Sequence, residues 1–147
     1  MPRSARSFFS RQKKAEIKQA ILNAELDSSG EIRVHIENHC EEDVLDRAAV
    51  IFEKLKMHDT ELRNGVLFYV AVKDRKFAII GDKGINAAVS ENFWDEIKEK
   101  MQLSFKEEKF AEGLVEAIRS AGQQLKKHFP HHSDDINELS NEISFGS

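Results

Sequence analysis

The run Gly65-Val66-Leu67-Phe68-Tyr69-Val70-Ala71-Val72 is apolar on both of its faces. Such a strand needs cover on both sides, so it belongs inside a sheet packed between two layers. A turn follows at Lys73-Asp74, and Arg75-Lys76-Phe77-Ala78-Ile79-Ile80 reads as the return strand of a hairpin. Upstream, Glu31-Ile32-Arg33-Val34-His35-Ile36-Glu37 alternates strictly. Ile32, Val34 and Ile36 face a core, while Glu31, Arg33, His35 and Glu37 face the other way, which predicts a less-buried side.

Helical patterns flank these strands. Ser10 is placed to cap a helix running to about Leu26, with Ile17, Ala20, Ile21 and Ala24 on one face. Asp27-Ser28-Ser29-Gly30 is a turn cluster. Glu41, Glu42 and Asp43 suit the positive end of a second helix, whose stripe is Val44, Ala48, Ile51, Phe52 and Leu55. Ser90 is read as the cap of a third helix carrying Phe93, Trp94, Ile97 and Met101. A fourth carries Phe110, Leu114, Ala117, Ile118, Ala121 and Leu125, with Gly122 allowing close packing and Pro130 closing it. Strand, helix, strand implies a right-handed parallel crossover, and the hairpin adds an antiparallel strand. The expected fold class is α/β: a three-layer α/β/α sandwich with a small mixed sheet.

A length of 147 residues fits one domain. Its parts are a basic N-terminal helix, 1–27, that belongs to the fold, a body over 28–130, and an acidic tail over 131–147. Ile136, Leu139 and Ile143 lie at helical spacing in the tail, which is read as a short amphipathic piece docked on the body. With 22 Lys+Arg against 26 Asp+Glu, the net charge of −4 argues against a dedicated nucleic-acid binder. The single Cys40 excludes an internal disulfide framework and a Cys-based zinc site. The start is basic but lacks an apolar signal-peptide core, and no window approaches the ~18 apolar residues of a membrane span. The expectation is a cytoplasmic monomer with no membrane or nucleic-acid partner, its basic start a solvated helix turn.

One end of the sheet gathers oxygen-bearing side chains. The hairpin returns Gly81-Asp82 to the end where the second strand began, at Asn64-Gly65. If the first two strands are parallel, Glu31 begins there too. Glu31, Asn64 and Asp82 then share an edge, with Glu91 early in the third helix able to approach it. An all-oxygen set with several carboxylates suits a hard cation such as calcium, which takes six to eight oxygens. The competing reading has Glu31 and Asp82 capping backbone N–H groups or pairing with Lys83 and Arg33. The opposite edge collects Glu37, Asn38, His39, Cys40 and Asp74, and is read as solvated loop surface.

Common motifs fail. Asp59-Thr60-Glu61-Leu62-Arg63-Asn64-Gly65 hints at a calcium loop, but Arg63 and Asn64 stand where a ligand and then Gly are needed. Cys40 and Arg47 are one residue too far apart for a cysteine-phosphatase loop. His35 is read as structural or solvated, and His128, His131 and His132 as a surface cluster around Pro130.

Ser29-Gly30-Glu31-Ile32-Arg33-Val34, then Asn64-Gly65-Val66-Leu67, then Asp74-Arg75-Lys76 resemble the TPM domain family. That family includes thylakoid-lumen proteins linked to photosystem repair and a nematode receptor-associated protein. Gly81-Asp82-Lys83-Gly84-Ile85, Phe93-Trp94 and Phe129-Pro130 resemble its stand-alone bacterial branch, of the Bacteroidetes type. The resemblance covers roughly 28–130 and implies a Rossmann-like sandwich. Members are described as calcium-binding and, in a plant, as an acid phosphatase. Glu31, Asn64 and Asp82 match family polar positions at strand ends, so the resemblance favours calcium. Asp82 stands where exported relatives have an aromatic residue. Three functions follow as expectations: a calcium-binding regulatory or partner-binding domain, a metal-assisted phosphatase acting on phosphomonoesters, or a metal-free protein-interaction module.

Overall fold

Ser10 opens helix α1 (Arg11–Glu25), its hydroxyl accepting the Lys13 N–H at 3.1 Å. The buried side of α1 is Ile17, Ile21 and Ala24, as the spacing predicts. Strand β1 (Glu31–Glu37) follows, then helix α2 (Val44–Lys54). Asp43 caps α2, its carboxylate accepting from Leu45 N and Asp46 N. After a 3₁₀ turn at Met57–Asp59 come β2 (Gly65–Ala71) and β3 (Lys76–Gly81). Helices α3 (Lys83–Ala88), α4 (Phe93–Lys106) and α5 (Phe110–His128) complete the body, and a two-residue strand, β4 (Ser144–Phe145), ends it. These elements come from a computed structural model that describes residues 8–26, 28–130 and 143–146.

The sheet order is β3-β2-β1-β4. β1 and β2 are parallel, with Glu31 opposite Gly65 and His35 opposite Tyr69. β2 and β3 are antiparallel, with Val66 opposite Gly81. The expected mixed sheet is therefore present, between two helical layers. Ile32, Val34, Ile36, Val66, Phe68, Val70 and Ile79 pack with side chains of α1, α4 and α5. Leu67, Tyr69, Ala71 and Ala78 pack with Ala48, Ile51 and Phe52 of α2 and with Met57. Burying each large aliphatic side chain of these layers contributes ~1.5–3 kcal/mol.

Close packing of α5 on α1 depends on Gly122. A Cβ there would stand 2.5 Å from the Ala24 Cβ, so a side chain at this point forces the helices apart.

Four details differ from the sequence reading. The polar side of β1 is not less buried: Glu31, His35 and Glu37 are all buried. Their side chains find partners under α2 and β4 and on neighbouring helices, which removes the cost that alternation normally signals. Ser90 is not a side-chain cap; the N-cap of α4 is Asn92, without a side-chain bond, and the Ser90 carbonyl accepts from Phe93 N. Helix α3 was not foreseen, because six residues are too few for a periodic signal. The acidic stretch 131–142, with His131 and His132, lies outside the described residues. Beyond it, Ser144–Phe145 pairs parallel to His35 and Ile36 of β1 as a strand.

Candidate functional site

Glu31, Asn64 and Asp82 do share one end of the sheet. Glu31 N donates to Asn64 O at 3.4 Å, and Asp82 N donates to Gly65 O at 2.9 Å. All three residues are buried. Their side chains differ in what they are free to do.

Asp82 is fully engaged. Arg63 Nε donates to Oδ2 at 2.6 Å, and Arg63 Nη2 donates to Oδ1 at 2.8 Å. Oδ1 also accepts the Lys83 N–H at 2.8 Å, which makes Asp82 the N-cap of α3. Capping was the competing sequence reading, but the cation is Arg63, not Lys83 or Arg33. The Arg63 carbonyl accepts from Gly84 N at 2.8 Å. A Cβ on Gly84 would lie 2.1 Å from Leu62 O and 2.6 Å from Arg63 O, so only glycine lets the loop sit on the helix end. Arg63 itself holds left-handed backbone, φ 52°.

Asn64 donates from Nδ2 to Ser29 Oγ at 3.4 Å, leaving Oδ1 as its acceptor. Ser28 Oγ accepts from Gly30 N, and Ser29 N donates to Phe129 O, which fixes the turn before β1 against the end of α5. Glu91 lies exposed in the turn before α4 and, among the described residues, makes no hydrogen bond or ion pair with Glu31, Asn64 or Asp82.

A third acid, not foreseen, lies at this rim. Glu25, the last residue of α1, accepts the Ile32 N–H at 2.7 Å through Oε2. Burial pushes its carboxyl up to about 8, against the Ile32 hydrogen bond, and the neighbouring Glu31 adds to the rise. Glu25 follows Ile21 by four residues, so it falls on the buried stripe of α1. A carboxylate at an apolar position of an amphipathic helix was the signal in the sequence. Among the described residues, no three His, Cys, Asp or Glu side chains converge as a metal-binding group.

The opposite edge is solvated loop surface only in part: His39 is exposed and Asn38 and Asp74 are half-buried, but Glu37 and Cys40 are buried. Glu37 is 3% exposed. It accepts from Arg47 Nε at 2.9 Å, Arg47 Nη2 at 2.6 Å and Tyr69 Oη at 2.7 Å, with His35 Nε2 at 3.3 Å. Burial alone would raise the Glu37 carboxyl, but Arg47, Tyr69 and His35 together hold it at about 2. Burial and Glu37 push the Tyr69 phenol up, and burial lowers His35. His35 Nδ1 lies 2.7 Å from the Ser144 hydroxyl, which donates to Val34 O at 3.3 Å, and His35 Nε2 lies 3.3 Å from Glu37. This cluster ties β1, β2, α2 and β4 together. Cys40 is buried with its thiol donating to Glu42 O at 3.3 Å. Asp74 accepts from Cys40 N at 2.7 Å and pairs with His39 at 3.0 Å.

A four-stranded mixed sheet between helical layers, with polar clusters at both sheet ends, defines an α/β sandwich of the kind the three motifs suggest. The sequence profile described as the TPM domain matches residues 4–124, and the chain belongs to that family. It is similar to the BA42 protein of the psychrophilic bacterium Bizionia argentinensis, at 51% identity and a TM-score of 0.88, over 95% of this chain and 97% of that one. The N-terminal domain of a P. gingivalis protein shares the fold at 20% identity and a TM-score of 0.70, over 86% of this chain and 83% of that one. The N-terminal domain of a Corynebacterium glutamicum protein does so at 14% and 0.66, over 88% and 80%. No curated protein matches the chain. No helix among the described residues is long and apolar enough to cross a membrane.

Proposed function

We propose that this TPM domain binds calcium at the Glu31 rim and serves a regulatory or partner-binding role. The observation that carries the reading is the carboxyl pair of half-buried Glu25 and buried Glu31. Burial first, and the neighbouring Glu31 after it, favours a proton on Glu25, and without that proton the two carboxylates repel. A divalent cation relieves the same repulsion. Glu25, Glu31 and Asn64 Oδ1 supply three oxygen-bearing groups, and calcium completes its shell with backbone carbonyls and water. Asp82 would join only by exchanging Arg63 for the ion, and Glu91 only by movement of its turn. The alternative, a metal-assisted phosphatase acting on phosphomonoesters, would place its ion at the same rim.

Titration calorimetry of the intact chain tests the proposal. Calcium binding is expected, and it is weakened by Glu25→Gln and by Glu31→Gln. Absence of heat at millimolar calcium, or unchanged affinity in both variants, overturns it.

A further inference from the structure

At the other end of the sheet the molecule opens a cleft of about 1020 Å³. Its floor is aromatic and aliphatic: Phe8, Phe9, Phe110 and Val72. The Phe8 ring meets Phe9 edge-on at 4.9 Å and Phe110 at 5.0 Å, so the aromatic surface is continuous. Five charged residues line it as well. Lys13 and Glu112 neutralise one another at 2.7 Å. Lys73 and Arg75 are exposed and have no ion pair among the described residues, against the single remaining carboxylate of Glu108. The lining therefore carries one net positive charge beside an apolar floor.

The turn that presents these cations is held in place. Asp74, between them, is directed away by His39 and the Cys40 N–H, and Lys73 N donates to Asn38 O at 2.8 Å. Arg75 and Glu108 both hold left-handed backbone, with φ 54° and 61°. Glycine is the unstrained residue for a left-handed turn position. Arginine there keeps a guanidinium at the cleft at a conformational cost, as strained positions in binding sites do.

We propose that this cleft binds a small amphiphilic carboxylate, its acyl or aromatic body on Phe8 and Phe110 and its head on Lys73 and Arg75. An apolar pocket with a few convergent polar groups is the usual form of a small-molecule site. This site lies at the opposite end of β2 from the Glu31 rim and stands independently of the calcium reading.

The test is nuclear magnetic resonance titration of the intact chain with decanoate, with decanol as the uncharged control and 2-naphthoate as the aromatic arm. Decanoate or naphthoate should saturate shifts at Lys73–Lys76 and Phe110–Glu112, whichever binds tighter naming the body. Decanol should bind roughly tenfold more weakly, and Lys73→Glu with Arg75→Glu should cost about tenfold in anion affinity while leaving the melting temperature unchanged. Both residues are exposed, so the double variant keeps its fold. No saturable shifts at millimolar ligand, shifts scattered over the surface, equal binding of decanoate and decanol, or an unaffected double variant overturns the proposal.

Discussion

Arg63 holds both carboxylate oxygens of Asp82, at 2.6 and 2.8 Å, while Asp82 caps the helix that starts one residue later. The pair occupies the place where the proposed cation would otherwise draw a third carboxylate. In the calcium reading, Arg63 would compete with the ion for Asp82.

That competition has a measurable sign. Arg63→Ala releases Asp82 toward the rim and raises calcium affinity by about tenfold, at the cost of a lower melting temperature. Adding Asp82→Asn to Arg63→Ala removes the gain. Calorimetry on the single and double variants checks this; equal affinity in wild type and Arg63→Ala would show that Asp82 takes no part.

Glu25 makes stability depend on pH in an uncommon direction for a carboxylate. Its folded pKa, about 8, lies above the ordinary 4.5, so the folded state holds the proton more tightly. The stabilisation is fully present below 4.5 and is lost as pH rises through about 8. Urea unfolding without calcium should show this decline, and Glu25→Gln should flatten it. Calcium affinity of the wild type should rise over the same interval as the proton leaves.

Glu37 behaves oppositely. Its folded pKa is held at about 2, so its stabilisation is present above the ordinary 4.5 and is lost as pH falls toward 2. Glu37→Gln leaves the half-buried Arg47 guanidinium without its carboxylate and should cost about 2 kcal/mol at neutral pH, the partial exposure of Arg47 lowering the cost of a fully buried pair. Acid titration followed by circular dichroism should show a smaller pH-linked loss in the variant. Amide exchange at Ser144 and Phe145 should quicken, because His35 loses the partner that orients it toward Ser144.

Gly84→Ala tests the geometry of the Arg63 loop without touching a charged group. The new Cβ meets two backbone carbonyls, which cannot rotate away as a side chain can. Destabilisation of about 2 kcal/mol is expected from urea unfolding. A neutral result would mean that the loop moves freely over the α3 terminus.

The parts of this architecture that repeat along the chain were legible without coordinates. β1 has the limits its alternation predicts, and the buried faces of α1, α2 and α5 are those their spacing predicts. Short elements were not legible. Six residues of α3 and two of β4 span too few periods to stand out. In the candidate rim, Glu31, Asn64 and Asp82 were foreseen together because hairpin geometry and parallel pairing set which strand ends coincide. Arg63 entered only as a flaw in a calcium-loop pattern, and Glu25 did not enter at all.

The pairing of the first three strands, the apolar faces and the layers they join were determined by the sequence alone, because burial leaves a periodic imprint on neighbouring residues. Tertiary structure alone decided which polar side chains meet: Arg63 with Asp82, Glu25 with Glu31, His35 with Ser144. These meetings turn on how helix ends and loops pack over the sheet. A side chain's charge carries no record of the partner that folding will set beside it.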